Sequence, residues 1–159
     1  MGLAQTFLTI AAIALLGVLS LTLNTSYLTT NQTMVESEFT VEAVSLGESY
    51  LERAVGKSYD ENSISGAVSQ TKDFSSSLGK DVGESVLKDF DDFDDFNGFN
   101  QPDTTERSIY NISIKVVYVN DSDLNTTSVN QTWHKKMTIT VSNAYMSTPV
   151  EIQYIYSYF

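Results

Sequence analysis

From Phe7 to Leu23 the chain reads FLTIAAIALLGVLSLTL, apolar but for Thr9, Gly17, Ser20 and Thr22. No charged side chain precedes Glu36, and no basic one precedes Arg53. Nothing else in the sequence restricts the fold so tightly. A run of this length makes roughly 25 Å of helix, just short of a comfortable bilayer span. It is greasy on every side, so no single packing face can hide it, and water cannot be its final surroundings. Lipid, or other copies of the same helix, must cover it.

The first proline is Pro102, so no pyrrolidine ring interrupts a helix in the first hundred residues. Residues 24–33, NTSYLTTNQT, are polar and β-branched and predict a weak or loosened stretch, as does Gly17. The pattern then resumes as MVESEFTVEAVSLGESYLERAV. Phe39, Ala43, Leu46 and Tyr50 recur at helical spacing, and Val44, Leu51 and Val55 widen the stripe. Glu38, Glu42, Glu48 and Glu52 fall opposite, with Val41 among them, and Gly56 offers a stop. The reading is one helix from Leu3 to about Val55, apolar in its first half and amphipathic in its second.

Residues 57–106 read as an irregular connector. It carries VGESVLKDFDDFDDFNGFNQPD, with Phe90, Phe93, Phe96 and Phe99 at a strict three-residue spacing. Val86, Leu87, Phe90 and Phe93 could share a short helical face, ended by Asn97-Gly98 and Pro102. From residue 107 the period becomes two. Tyr110, Ile112, Ile114, Val116 and Tyr118 alternate with Asn111, Ser113, Lys115, Val117 and Val119; Met137, Ile139 and Val141 alternate with Thr138, Thr140 and Ser142, and Val150, Ile152, Tyr154, Tyr156 and Tyr158 make a third alternating run. Three such runs with short connections predict an antiparallel meander. Its apolar face needs a cover, and the amphipathic half of the helix supplies one. The expected class is α+β, with segments 1–56 (helix), 57–106 (connector) and 107–159 (three-stranded head).

This arrangement, an apolar helix continued by an amphipathic half on a small sheet, resembles the type IV pilins and their relatives. The resemblance implies a lollipop-shaped subunit whose N-terminal helices bundle in a filament core. It also implies that MGLAQTFLTI begins a mature chain from which a short basic leader has been cut. Family members usually carry Glu at the fifth mature position, beside a neighbour's terminal amine; here Gln5 stands there, able to accept a hydrogen bond from the Met1 amine. Many bacterial members have a helix-breaking proline near position twenty-two, where this chain has Thr22. The match is to a divergent member. The implied assembly residues are Met1, Gln5, Phe7, Leu8, Ile10, Ile13, Leu15, Leu16, Val18, Leu19, Leu21 and Leu23. The implied partners are identical subunits in a helical homopolymer and, before polymerisation, membrane-embedded assembly machinery. The implied location is an extracellular filament on the cell surface, reached after transient membrane insertion.

The chemistry of the remaining residues points away from catalysis. The net charge of −11 leaves no Lys and Arg cluster for nucleic acid, and the absence of cysteine excludes disulfides and thiolate metal sites. His134 is the single histidine, on an expected strand, and no serine-nucleophile motif or phosphate loop accompanies it. No enzyme, cofactor or metal is assigned. The run KDFDDFDDFNGFN suggests calcium by its oxygens, but EF-hand spacing fails: with Gly98 at loop position six, Phe93 falls where the first Asp belongs. The reading preferred is Phe inward and Asp solvated. Six Asn-x-Ser/Thr sequons occur. Asn111, Asn120, Asn125 and Asn130 are the expected glycan sites, ahead of Asn24 and Asn31 on the helix. The expected function is a structural filament subunit serving adhesion, motility or surface contact. The alternative is a membrane-anchored extracellular domain with an uncleaved signal anchor, although basic flanking residues for it are missing.

Overall fold

A computed structural model describes residues 2–159; Met1 lies outside the described residues. Helix α1 spans Leu3–Val55 and falls into two units of the chain, one ending at Glu38 and one running from Phe39 to Phe159. The threonine-rich stretch expected to loosen the helix is helical throughout. Its hydroxyls are taken up by the helix itself. Thr22, Thr25, Thr29, Thr30 and Thr33 each donate to the carbonyl four residues back, on Val18, Leu21, Thr25, Ser26 and Thr29, at 2.8–2.9 Å. A hydroxyl spent on its own helix no longer competes for the backbone, and its methyl faces outward.

In the second unit, Phe39 to Val55 lies against an antiparallel sheet. Strands β1 (Asn100–Thr104), β2 (Ile109–Asn120), β4 (His134–Ser142) and β5 (Val150–Ser157) run in the order β1-β2-β4-β5. Strand β3 (Asp123–Thr127) folds back on the far end of β2. The three expected strands are β2, β4 and β5, so the sheet is larger than expected by β1 and β3. Both additions are polar: NQPDT and DLNTT carry no alternation to betray them. Pro102 sits in β1 at the sheet's edge, where a missing N–H costs least.

Alternation fixes the register. Along β2 every second residue from Tyr110 to Tyr118 is buried, and β4 opposes it with Val141, Ile139 and Met137 facing Ile112, Ile114 and Val116. The helix meets this face through Ala43, Gly47, Tyr50 and Ala54, all buried. Three of these are the smallest side chains available, which lets the backbone approach the sheet closely. Phe39, Leu46, Leu51 and Val55 pack at the margin. Glu42, expected on the polar side, is half-buried and accepts a 2.8 Å hydrogen bond from the Tyr110 hydroxyl.

The acidic segment closes the other side of the core. Phe90, Phe93, Phe96 and Phe99 are all buried, as their spacing suggested. The helical face expected over Val86–Phe93 does not form: the only regular structure is a 3-10 turn at Asp94–Phe96, and Val86 is exposed. Gly98 takes φ +77°, a left-handed conformation that ends the turn and turns the chain into β1. A second cluster gathers Tyr59, Phe74 and Tyr118, with Trp133, Tyr156 and Tyr158 around it. There the rings of Phe74 and Trp133 meet edge-on at 5.4 Å, and those of Trp133 and Tyr158 stack.

Candidate functional site

Two features stand out chemically: an exposed apolar helix surface, and a buried set of charges inside the head.

The first belongs to the unit ending at Glu38. Phe7, Ile13 and Leu16 expose 67%, 70% and 66% of their surface, and Leu8, Ile10, Leu15, Val18, Leu19, Leu21 and Leu23 are comparably open. These are the apolar residues expected to assemble. Every residue from Gly2 to Val35 is exposed. Polar atoms on this surface are turned inward on the helix: besides the threonines above, Thr6 donates to Leu3 O and Thr9 to Thr6 O. Ala4, Ala11, Ala12, Ala14 and Gly17 leave gaps between the larger side chains, and nothing lies within 4 Å of where a Cβ on Gly17 would stand. The threonine hydroxyls of this surface are thus bonded within the helix, which suits packing in lipid or in a helix bundle. Gln5 Oε1 accepts from the Gly2 N–H of its own chain at 3.3 Å. The amine of Met1, its expected donor, lies outside the described residues. This is the one helix, among the described residues, long and apolar enough to cross a membrane.

The second feature went unnoticed in the sequence. Lys135 is fully buried. Its Nζ donates to the Tyr59 carbonyl and to Asp60 Oδ2, both at 2.8 Å, and to Asp94 Oδ1 in a closer contact. The rings of Tyr59 and Tyr118 lie 4.5 and 5.4 Å from it. Asp60 and Asp94 are themselves buried; for Asp94 this contradicts the expectation that the aspartates of the phenylalanine-rich run are solvated. Asp92 and Asp95 are buried too, because the segment needs them to tie down its own backbone. Asp92 Oδ1 accepts from the N–H groups of Asp94 and Asp95, and Asp95 Oδ2 from those of Asp91 and Asp92.

The two carboxylates flanking Lys135 are held differently. Asp60 caps the short helix α2 (Glu61–Ile64) and also accepts from the N–H and hydroxyl of Ser75 and the hydroxyl of Tyr118. Burial alone would raise its pKa, but the Lys135 ammonium and these N–H donors outweigh burial and hold it below the usual carboxylate range. Asp94 is held instead by Lys135 and by a side-chain hydrogen bond with Asp92. Burial pushes it up to about 6, although Lys135 pulls the other way. Asp92 is pushed up to about 8, by burial first and then by the charges of Asp94 and Asp95. A further three carboxylates, Glu84, Asp91 and Asp95, bring one oxygen each within 4.8 Å of one another. Glu84 is raised to about 7 by partial burial and by its hydrogen bond with Asp95.

A signal for Lys135 existed. It shares strand parity with Met137, Ile139 and Val141, so it had to point into the core. His134 points the other way; its Nδ1 lies 2.7 Å from Ser157 Oγ and its Nε2 3.8 Å from Asp121. Asn111, Asn120, Asn125 and Asn130 are all exposed, Asn111 on the face of β2 turned away from the core. No protein family, characterised protein or solved structure matches this chain.

Proposed function

We propose that the protein is the structural subunit of an extracellular, type IV pilus-like filament, polymerising through the apolar part of α1. The observation that carries this reading is the surface from Phe7 to Leu23, open on all sides in a chain whose head buries its own core. Covering about ten such side chains at around 2 kcal/mol each is worth roughly 20 kcal/mol per subunit before the entropy of association. A bundle of identical helices provides that cover, and the Thr9 and Thr22 hydroxyls within it are already bonded to their own helix. Before polymerisation the same helix rests in the membrane, where an assembly machinery collects it. Adhesion, motility or surface contact would then fall to the head.

Ile13→Asp and Leu16→Asp each place an unpaired charge in the helical core. Both variants should abolish filaments seen by electron microscopy while leaving the near-ultraviolet circular dichroism of the head unchanged. Filaments of normal length and number from either variant would overturn the proposal. Wild-type protein that stays wholly membrane-embedded, with no filament under any condition of expression, would favour a signal-anchored extracellular domain instead.

A further inference from the structure

We propose that Lys135 and Asp94 condense to an intramolecular amide, a covalent bridge between β4 and the phenylalanine-rich segment. The inference goes beyond filament assembly and stands or falls independently of it. Its basis is the placement of three groups. An amine and a carboxyl lie in direct contact, both inaccessible to water, with a second carboxylate on the amine's other side and tyrosine rings closing the space.

A buried ion pair of this kind is expensive, because desolvating two charges consumes most or all of the attraction gained. Here the imbalance is worse, since two aspartates face one lysine. A medium that disfavours charge shifts the Asp94 carboxylate toward the carboxylic acid, the reactive form for amide formation. The upward shift of Asp94 agrees with this.

The surroundings also assign the roles. Asp60 is fixed by donors on both oxygens and stays an anion, which makes it a poor electrophile; its contact with the Lys135 ammonium at 2.8 Å places it to relay a proton. Asp94 is less encumbered, so its Cγ is the electrophile. The step balances as follows. Asp60 takes one proton from the Lys135 ammonium and delivers it to the Asp94 carboxylate. The freed amine attacks Asp94 Cγ, forming the C–N bond. A second amine proton passes through Asp60 to the departing hydroxyl, the C–O bond breaks and one water leaves. One proton remains on the amide nitrogen, Asp60 returns to its starting state, and no oxidant, cofactor or activated carrier enters. Asp60 is thus the catalytic residue, touching the reacting nitrogen at 2.8 Å.

Peptide mapping of the full-length wild-type chain tests the proposal, using detergent-solubilised protein from a host that does not glycosylate it. Trypsin should fail to cut after Lys135. It should release 89–107 joined to 116–136, lighter than the sum of the two peptides by about 18 Da, the mass of one water. Lys135→Arg and Asp94→Ala should each abolish the joined species, and Asp60→Ala should slow its appearance at least tenfold in a time course after synthesis. Cleavage after Lys135 with both linear peptides in full yield would overturn the proposal. Joining of 116–136 to 58–72 instead would overturn the choice of Asp94, because that peptide carries Asp60. The wild-type map is decisive even if a variant fails to fold.

Discussion

Gly47 shows how closely the helix lies on the sheet. A Cβ at this position would stand 2.7 Å from Ile152 Cδ1 and 3.3 Å from Val141 Cγ2. The first neighbour is the end of a flexible side chain and can turn aside; the second sits on a central strand and gives less. Against the strain, alanine gains about 1 kcal/mol over glycine in a helix interior. Crowding of this degree costs about 1 kcal/mol or slightly more. Gly47→Ala should therefore unfold within about 1 kcal/mol of wild type, whereas Gly47→Leu, with no room for its branches, should lose at least about 2 kcal/mol. Chemical denaturation read by tryptophan fluorescence measures both; a stable Gly47→Leu head would mean the helix sits farther from the sheet than described. The residue scale is also where the sequence was hardest to read. Tyr110, Ile112 and the four phenylalanines announce their burial by spacing. Asp60 and Asp94 do not, and the parity of Lys135 is easily overruled, because a charged letter reads as solvated until its partner, 41 or 75 positions away, is known.

Among the elements, α1 and strands β2, β4 and β5 were legible because their periods, 3.6 and 2, run over many residues. Strands β1 and β3 were not, since edge strands with polar sequences have no face to declare. The acidic segment was half legible: its rings went inward as expected, but it forms a turn where a helix was expected, pinned by its own aspartates. That arrangement has a pH signature. Asp92, raised to about 8, and Glu84, raised to about 7, titrate in the usual carboxylate range once unfolded. Between those values the folded head binds more protons than the unfolded chain, so their contribution is complete at low pH and is lost as pH rises toward 8. Asp60 has the opposite sign: its contribution is complete at higher pH and lost as pH falls below the usual carboxylate range. The head should be most stable in mildly acidic solution, and its thermal midpoint should fall between about pH 5 and pH 8. Asp92→Asn, which imitates the protonated acid, should flatten that fall. A midpoint that rises over the interval would contradict the burial assigned to Asp92.

At the scale of the whole molecule, the hairpin of β2 and β3 and the residues just beyond it carry most of the exposed sequons. Asn111 and Asn120 lie on β2, Asn111 with its side chain turned from the core, Asn125 lies on β3, and Asn130 follows just beyond it. In a filament these positions should face outward, and any sugar attached to native material should be found on them. Mass spectrometry of native protein before and after chemical deglycosylation, followed by limited proteolysis of intact filaments, checks both points. An unchanged mass would discard the glycans, and a hairpin protected from protease only in filaments would place it against a neighbour.

The bridge between Lys135 and Asp94 bears on what happens when such a molecule is pulled. The two residues are 41 positions apart, and β1, β2 and β3 all lie between them. Once they are joined, tension applied across the head bypasses that loop. About 140 Å of chain that would otherwise pay out on unfolding stays hidden from the force. A subunit built this way behaves under load less like a spool than like a link with a short, fixed reach: it stretches a little and then holds.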